Sequence, residues 1–176
     1  AHADVIAFTC TAGSFVKGGK GEDDLKRLIE KASHTPAITT SGAVVAALNN
    51  LNVRKLVMAT PYPEEINRLE KLLFEEKGFE VLAIKGLGIT EAFKIGLEIP
   101  DNTYRFVKSL DASSADAIFI SCTNFRTIEV IDNLERALSI PVISSNTATL
   151  WAMMRKTGSK KKLNAYGRLL ARSSKI

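Results

Sequence analysis

Glutamine is absent from this sequence, and three other residue types are scarce: two cysteines, two histidines and one tryptophan. The missing glutamine fits a chain depleted of thermolabile amides. Two cysteines far apart, Cys10 and Cys122, exclude the disulfide framework of a small secreted domain. There is no CxxC pair and no paired histidine, so the spacing that builds a metal site is missing as well. No apolar run is long enough to cross a bilayer, and no membrane partner is expected. The opening residues Ala1-His2-Ala3-Asp4 carry no basic stretch, so no signal peptide is predicted and a reduced, cytoplasmic setting is expected. Aromatics make up 7% and do not interleave with basic residues. The net charge of +5 therefore predicts no nucleic-acid partner. Much of the excess sits at Lys160, Lys161, Lys162, Arg168, Arg172 and Lys175, which reads as a solvated tail with mild attraction for anionic substrates.

What is present is an ordinary globular chain: 176 residues, 45% apolar and 24% charged. Short apolar runs alternate with amphipathic stretches. Strands are expected at residues 4–9, 37–40, 55–59, 80–84, 117–121 and 141–144, and helices at 23–32, 42–48, 63–77, 101–110, 127–138 and 147–157. The 63–77 helix is expected to bury Ile66, Leu69, Leu72 and Leu73, with Gly78 ending it. Asp101 reads as the cap of its helix. This alternation argues for an α/β fold with parallel sheets.

An internal repeat organises these elements. Residues 3–11 read ADVIAFTCT and residues 115–123 read ADAIFISCT; residues 35–43 read TPAITTSGA and residues 140–148 read IPVISSNTA. Two matched segments in the same order predict two related halves about a pseudo-twofold axis. The expected division is a partial first α/β domain over residues 1–48, a second over 49–146, and a C-terminal helix and tail, 147–176, returning to the first. Two strand–helix units precede the cysteine block in the second half and none precede it in the first. About a third of a symmetric protein is therefore expected to be missing at the N-terminus.

Cys10 and Cys122 each stand one residue past an apolar run, where open parallel sheets bind ligands. The Cys122 turn is expected to lead straight into a helix. The Gly18-Gly19-Lys20-Gly21 stretch after Cys10 reads as a flexible segment, a candidate lid. A lone buried cysteine often just fills space. Two in register within a repeat point instead to a facing pair of thiols. Such a pair can take a proton from one side of a carbon and deliver one on the other. It can equally attack with one thiolate while the second thiol donates a proton. Tyr62, at a strand end before a helix, reads either as a carboxylate ligand or as a turn residue packed between prolines. Trp151, Met153 and Met154 read as helix packing, Thr39-Thr40-Ser41 and Ser144-Ser145-Asn146 read as helix N-caps, and His2 and His34 read as surface residues.

The segments SCTNFRTIEVIDNLE, PVISSNTATLWAMMRKTG and AYGRLL, with ATPYPEEIN and GLGIT, resemble the aspartate/glutamate racemase superfamily, in the branch of maleate cis-trans isomerases and arylmalonate decarboxylases. The resemblance implies two pseudo-symmetric, Rossmann-like (flavodoxin-like) parallel-sheet halves, the first lacking its N-terminal part, with the site between them. It implies a cofactor-independent isomerase of a small dicarboxylic acid such as maleate. Cys10 is then the nucleophile and Cys122 the proton donor. Thr11, Ala12, Tyr62, Thr123 and Asn124 then hold carboxylates. Decarboxylases of this branch carry glycine at the first cysteine, and this chain has both cysteines, which weighs against decarboxylation. An amino-acid or hydantoin racemase and a non-catalytic small-acid-binding protein stay open. A homo-oligomer is expected on general grounds.

Overall fold

The computed structural model describes residues 2–15 and 18–171. In chain order the elements are β1 (Ile6–Phe8), α1 (Thr11–Phe15), α2 (Gly18–Ser33), β2 (Ala37–Thr39), α3 (Thr40–Asn50), β3 (Lys55–Thr60), α4 (Glu64–Glu76), β4 (Glu80–Gly86), α5 (Ala92–Leu97), α6 (Pro100–Lys108), β5 (Ala117–Ile120), α7 (Ile131–Leu138), β6 (Val142–Ser144), α8 (Ser145–Lys156) and α9 (Arg168–Ala171). All strand pairing is parallel. β1 pairs with β2, and a four-stranded sheet runs in the order β4-β3-β5-β6.

At the centre of the larger sheet β3 and β5 are covered on both faces and buried almost throughout, while the edge strand β4 is largely exposed. Alternation still sorts the side chains. Leu56, Met58, Ala117, Phe119 and Ile143 face a core shared with Val44, Leu48, Phe74 and Trp151. Val57, Ala59, Ile118, Ile120 and Val142 face a second core that contains Phe15, Tyr62, Cys122, Phe125 and Leu134. Strand order reverses between β3 and β5. Their carboxyl ends lie side by side, Ala59 opposite Ile120, and open the crevice that such a reversal creates.

The repeat survives in the register. Ile6, Ala7 and Phe8 pair with Ala37, Ile38 and Thr39; the equivalent Ile118, Phe119 and Ile120 pair with Val142, Ile143 and Ser144. The caps repeat too. Thr39 accepts from the Gly42 N–H, and Ser144 accepts from the Thr147 N–H in a reciprocal capping box. Ser144→Ala is expected to cost about 1 kcal/mol, read as a lower urea midpoint at constant slope.

Four expectations are corrected. The buried face of α4 is Asn67, Glu70, Leu73 and Phe74, while Leu69 and Leu72 are exposed. The helix is rotated because Phe74 packs on Phe79 and Phe119, and because its two inward polar groups find partners at strand ends. Asp101 lies inside α6, whose cap is Ile99 with no side-chain bond; Pro100 starts that helix because its missing N–H costs nothing there. The glycines at 18–21 form the first turn of α2 and make no lid. The chain after Cys122 runs through turns to Val130 before α7 begins, because Phe125 is drawn into the core.

Candidate active site

Cys10 closes β1 and opens α1. Its carbonyl accepts from the Ser14 N–H at 3.1 Å and the Ser14 hydroxyl at 2.8 Å. The Gly13 N–H donates to Cys10 Sγ at 3.3 Å. A Cβ on Gly13 would stand 3.0 Å from that sulfur, so glycine is what lets the backbone approach it. Cys10 is exposed to solvent.

Cys122 is buried and has a left-handed backbone, φ 84°, strained for a residue with a side chain. Tyr62 and the backbone of Asn124 and Phe125 act to favour the thiolate form of this sulfur. Burial outweighs these influences and pushes the Cys122 thiol above its usual range. Burial above all, then the neighbouring Cys122 and Glu70, also pushes the Tyr62 phenol upward. Near neutral pH both groups therefore carry their protons.

The two cysteine loops meet. The Thr123 hydroxyl donates to the Thr9 carbonyl at 2.9 Å. Thr11 Oγ1 lies 2.8 Å from Ser145 Oγ, and Asn146 Nδ2 donates to the Thr123 carbonyl at 3.0 Å. Ala12, half-buried, packs against the cluster that holds Tyr62, Phe125 and Cys122. Asn124 is exposed, and its side-chain amide donates to the Ala92 carbonyl at 2.7 Å. It therefore anchors α5 with its side chain.

Behind Cys122 lie residues that sequence reasoning passed over. Thr60 donates to Asn67 Oδ1 at 2.6 Å and receives the Tyr62 N–H at 3.1 Å. Ser121 donates to Glu70 Oε1 at 2.6 Å. Both hydroxyls are fully buried at the ends of β3 and β5, and a buried strand-end hydroxyl needs a partner. The Asn67/Glu70 pair, three residues apart on one face of α4, was the available signal. Burial pushes the Glu70 carboxyl up to about 8.

That shift has a sign for stability. The folded state holds a proton that the unfolded chain releases, so stability is highest below the ordinary carboxylate range and falls as pH rises through about 8. Glu70→Gln removes this loss. The variant is expected to melt several degrees above wild type at about pH 9, with the gap closing near pH 5. Parallel melting profiles across that range would contradict it.

Among the described residues no group of three or more His, Cys, Asp or Glu is placed to hold a metal ion, and no helix is long and apolar enough to cross a membrane. A family model described as arylmalonate decarboxylase matches residues 1–170. Maleate isomerase of Geobacillus stearothermophilus is 26% identical over 177 residues, covering 97% of this chain and 70% of that protein. Arylmalonate decarboxylase of Bordetella bronchiseptica is 29% identical over 174 residues, covering 97% of this chain and 72% of that one. Among solved structures, a cysteine-to-serine variant of Nocardia farcinica maleate cis-trans isomerase, with a covalently bound succinylcysteine intermediate, superposes with a TM-score of 0.93 at 22% identity. It covers 97% of this chain and 72% of that chain.

Proposed function

The chain belongs to the arylmalonate decarboxylase family, within the aspartate/glutamate racemase superfamily, and from that premise we propose that it is a two-cysteine isomerase of a small dicarboxylic acid, maleate cis-trans isomerase-like. The observation that carries the proposal is the asymmetry of the two thiols. Cys10 is exposed with an N–H group on its sulfur. Cys122 is enclosed and desolvated.

In this reading the Cys10 sulfur, as the thiolate, bonds to one olefinic carbon as the π bond breaks, and Cys122 gives its proton to the other. The double bond becomes single and rotates. Cys122 then recovers the proton as the carbon–sulfur bond breaks, releasing the trans acid and restoring the Cys10 thiolate and the Cys122 thiol. Tyr62, Thr11, Ala12, Thr123 and the Asn124 N–H hold the carboxylates. The chain is read as two α/β units, residues 1–48 and 49–146, with 147–176 returning to the first. The Thr11–Ser145 bond supports that division, and so does the packing of α8 against α3.

Two-base racemisation is the second reading, favoured by the equivalent repeat positions of the cysteines. The two readings separate in one pair of measurements. Incubation with maleate is expected to yield fumarate by proton NMR. Candidate amino acids in deuterated buffer are expected to show no exchange at the α-carbon. Exchange without fumarate would replace the isomerase reading by the racemase one.

A further inference from the structure

Residues 60–63 read Thr60-Pro61-Tyr62-Pro63. Each proline fixes its own φ, lacks an N–H and disfavours helical backbone in the residue before it. The Tyr62 N–H is therefore the only backbone donor in residues 61–63. Thr60 Oγ1 takes it at 3.1 Å, a turn in which a threonine side chain bonds the backbone two residues on. The carbonyls of the same turn are held from the end of β4. The Leu87, Gly88 and Ile89 N–H groups donate to the carbonyls of Thr60, Tyr62 and Pro61. On the donor side the turn rests on one hydroxyl.

Counting protons brings Asn67 into this turn. A threonine hydroxyl carries one proton and accepts through its oxygen. Thr60 is fully buried and its oxygen already accepts from Tyr62, so its own proton needs an acceptor inside the protein. That acceptor is Asn67 Oδ1, buried and 2.6 Å away. With the amide turned the other way, Thr60 would face a donor and its proton would be left over. α4 delivers the side chain directly, since the Asn67 N–H donates to the Pro63 carbonyl at 3.2 Å as the helix grows out of the turn. A Cβ on Gly86 would meet the Tyr62 carbonyl oxygen, Asn67 Nδ2 and Thr60 Oγ1 together, so the three groups share one tight corner. We propose that Asn67 is a positioning residue: by taking the Thr60 proton it aims the Thr60 oxygen at the Tyr62 N–H and fixes Tyr62 in the cluster it shares with Cys122.

The place of the tyrosine gives this chain of bonds a catalytic consequence. Tyr62 is buried in the same cluster as Cys122, against which Ala12 packs. A shift of the 60–63 turn carries the Tyr62 Cβ with it, and the phenol at the far end of the side chain moves further. Displacement of a binding group by about an ångström is costly. This consequence rests on the reading of Tyr62 as a carboxylate ligand of the proposed isomerase. The bonds from Asn67 through Thr60 to the Tyr62 backbone do not. A contact made equally in ground and transition states shows in KM and leaves kcat in place, which separates positioning from a general loosening of the fold.

Thr60→Val keeps the shape of the side chain and removes its hydroxyl, while Thr60→Ser keeps the hydroxyl. Thr60→Val and Asn67→Leu are each expected to raise KM for maleate about tenfold, with kcat within about threefold of wild type. Thr60→Ser is expected to stay within about twofold on both. In a Tyr62→Phe background neither Thr60→Val nor Asn67→Leu is expected to raise KM further, because the group they position is gone. A KM unmoved by Asn67→Leu, or the full rise in the Tyr62→Phe background, overturns the proposal. A second measurement needs no turnover. The chain has three tyrosines, so isotope labelling of the tyrosine nitrogen gives a signal for each amide, and Tyr62→Phe identifies the one from Tyr62. In the unsubstituted protein and in Thr60→Ser that amide is expected to exchange with deuterium at least about a hundredfold slower than a free one. In Asn67→Leu it is expected to exchange about tenfold faster than in the unsubstituted protein. A Tyr62 amide that exchanges freely in the unsubstituted protein overturns the proposal whether or not Asn67→Leu folds, and so does unchanged protection in folded Asn67→Leu. The expected exchange pattern without maleate turnover would count against the isomerase reading and for the positioning of Tyr62.

Discussion

Replacing either cysteine by serine is expected to lower kcat for maleate by about a thousandfold or more, while the melting temperature moves by a few degrees at most. The two losses have different causes. An alcohol at position 10 is a far weaker nucleophile than a thiol at neutral pH. At position 122 an alcohol is a poor proton donor and a poor proton acceptor for the return step. The variants should therefore differ in what they accumulate. Cys122→Ser is expected to hold an adduct on Cys10 whose mass exceeds the free protein by one maleate, because addition outlasts a crippled elimination. Cys10→Ser is expected to hold none. In the unsubstituted protein, iodoacetamide should label exposed Cys10 at least about tenfold faster than buried Cys122. Near-normal turnover by either variant would remove the two-thiol mechanism.

Gly86→Ala is expected to be the most damaging single methyl group in the protein. A Cβ there would stand 2.1 Å from the Tyr62 carbonyl oxygen and 2.5 Å from the Asn67 amide. The first of these atoms is backbone and cannot swing aside. Bonds from the N–H groups of Leu87, Gly88 and Ile89 to the carbonyls of Thr60, Tyr62 and Pro61 hold the same turn against β4. Relief must therefore move the Tyr62 turn or separate β4 from β3. A loss of about 2–4 kcal/mol follows from overpacking of this kind. Displacement of the Tyr62 phenol adds a drop in kcat of about tenfold in whatever protein remains folded. Urea midpoints measure the first effect and stopped-time maleate assays the second. Wild-type values for both would show that the turn yields at no cost.

The placement of the cysteines and Tyr62 just past strand ends was legible because the repeat put two thiols in register and because a strand end before a helix marks a crevice. The central strands were legible for the same reason the sheet is stable: both of their faces are covered, so residues 56–59 and Ala117–Ile120 read as unbroken apolar runs. The site behind Cys122 was not legible. Leu69 and Leu72 compete with Leu73 and Phe74 for the inner face of α4, and periodicity alone cannot choose between them. The choice is made by tertiary partners, the Phe119 ring and the strand-end hydroxyls of Thr60 and Ser121. These turn Asn67 and Glu70 inward. The short helices α1, α5 and α9 span five, six and four residues, too few turns for a pattern to show. The later start of α7 escaped notice because residues 127–130 look helical, while one aromatic, Phe125, dictates the path before them.

The tie between Thr123 and Thr9 joins positions 114 apart in the chain, and that between Thr11 and Ser145 joins positions 134 apart. Closing spans of that length comes late in folding, since local helices and the β3–α4–β4 unit need no such encounter. Recovery of activity after dilution from denaturant should lag behind recovery of circular dichroism. On warming, catalysis should fade before the sheet melts, because the ties between the two cysteine loops are a few hydroxyl and amide bonds at the edge of the cores, while the strands lie at their centre.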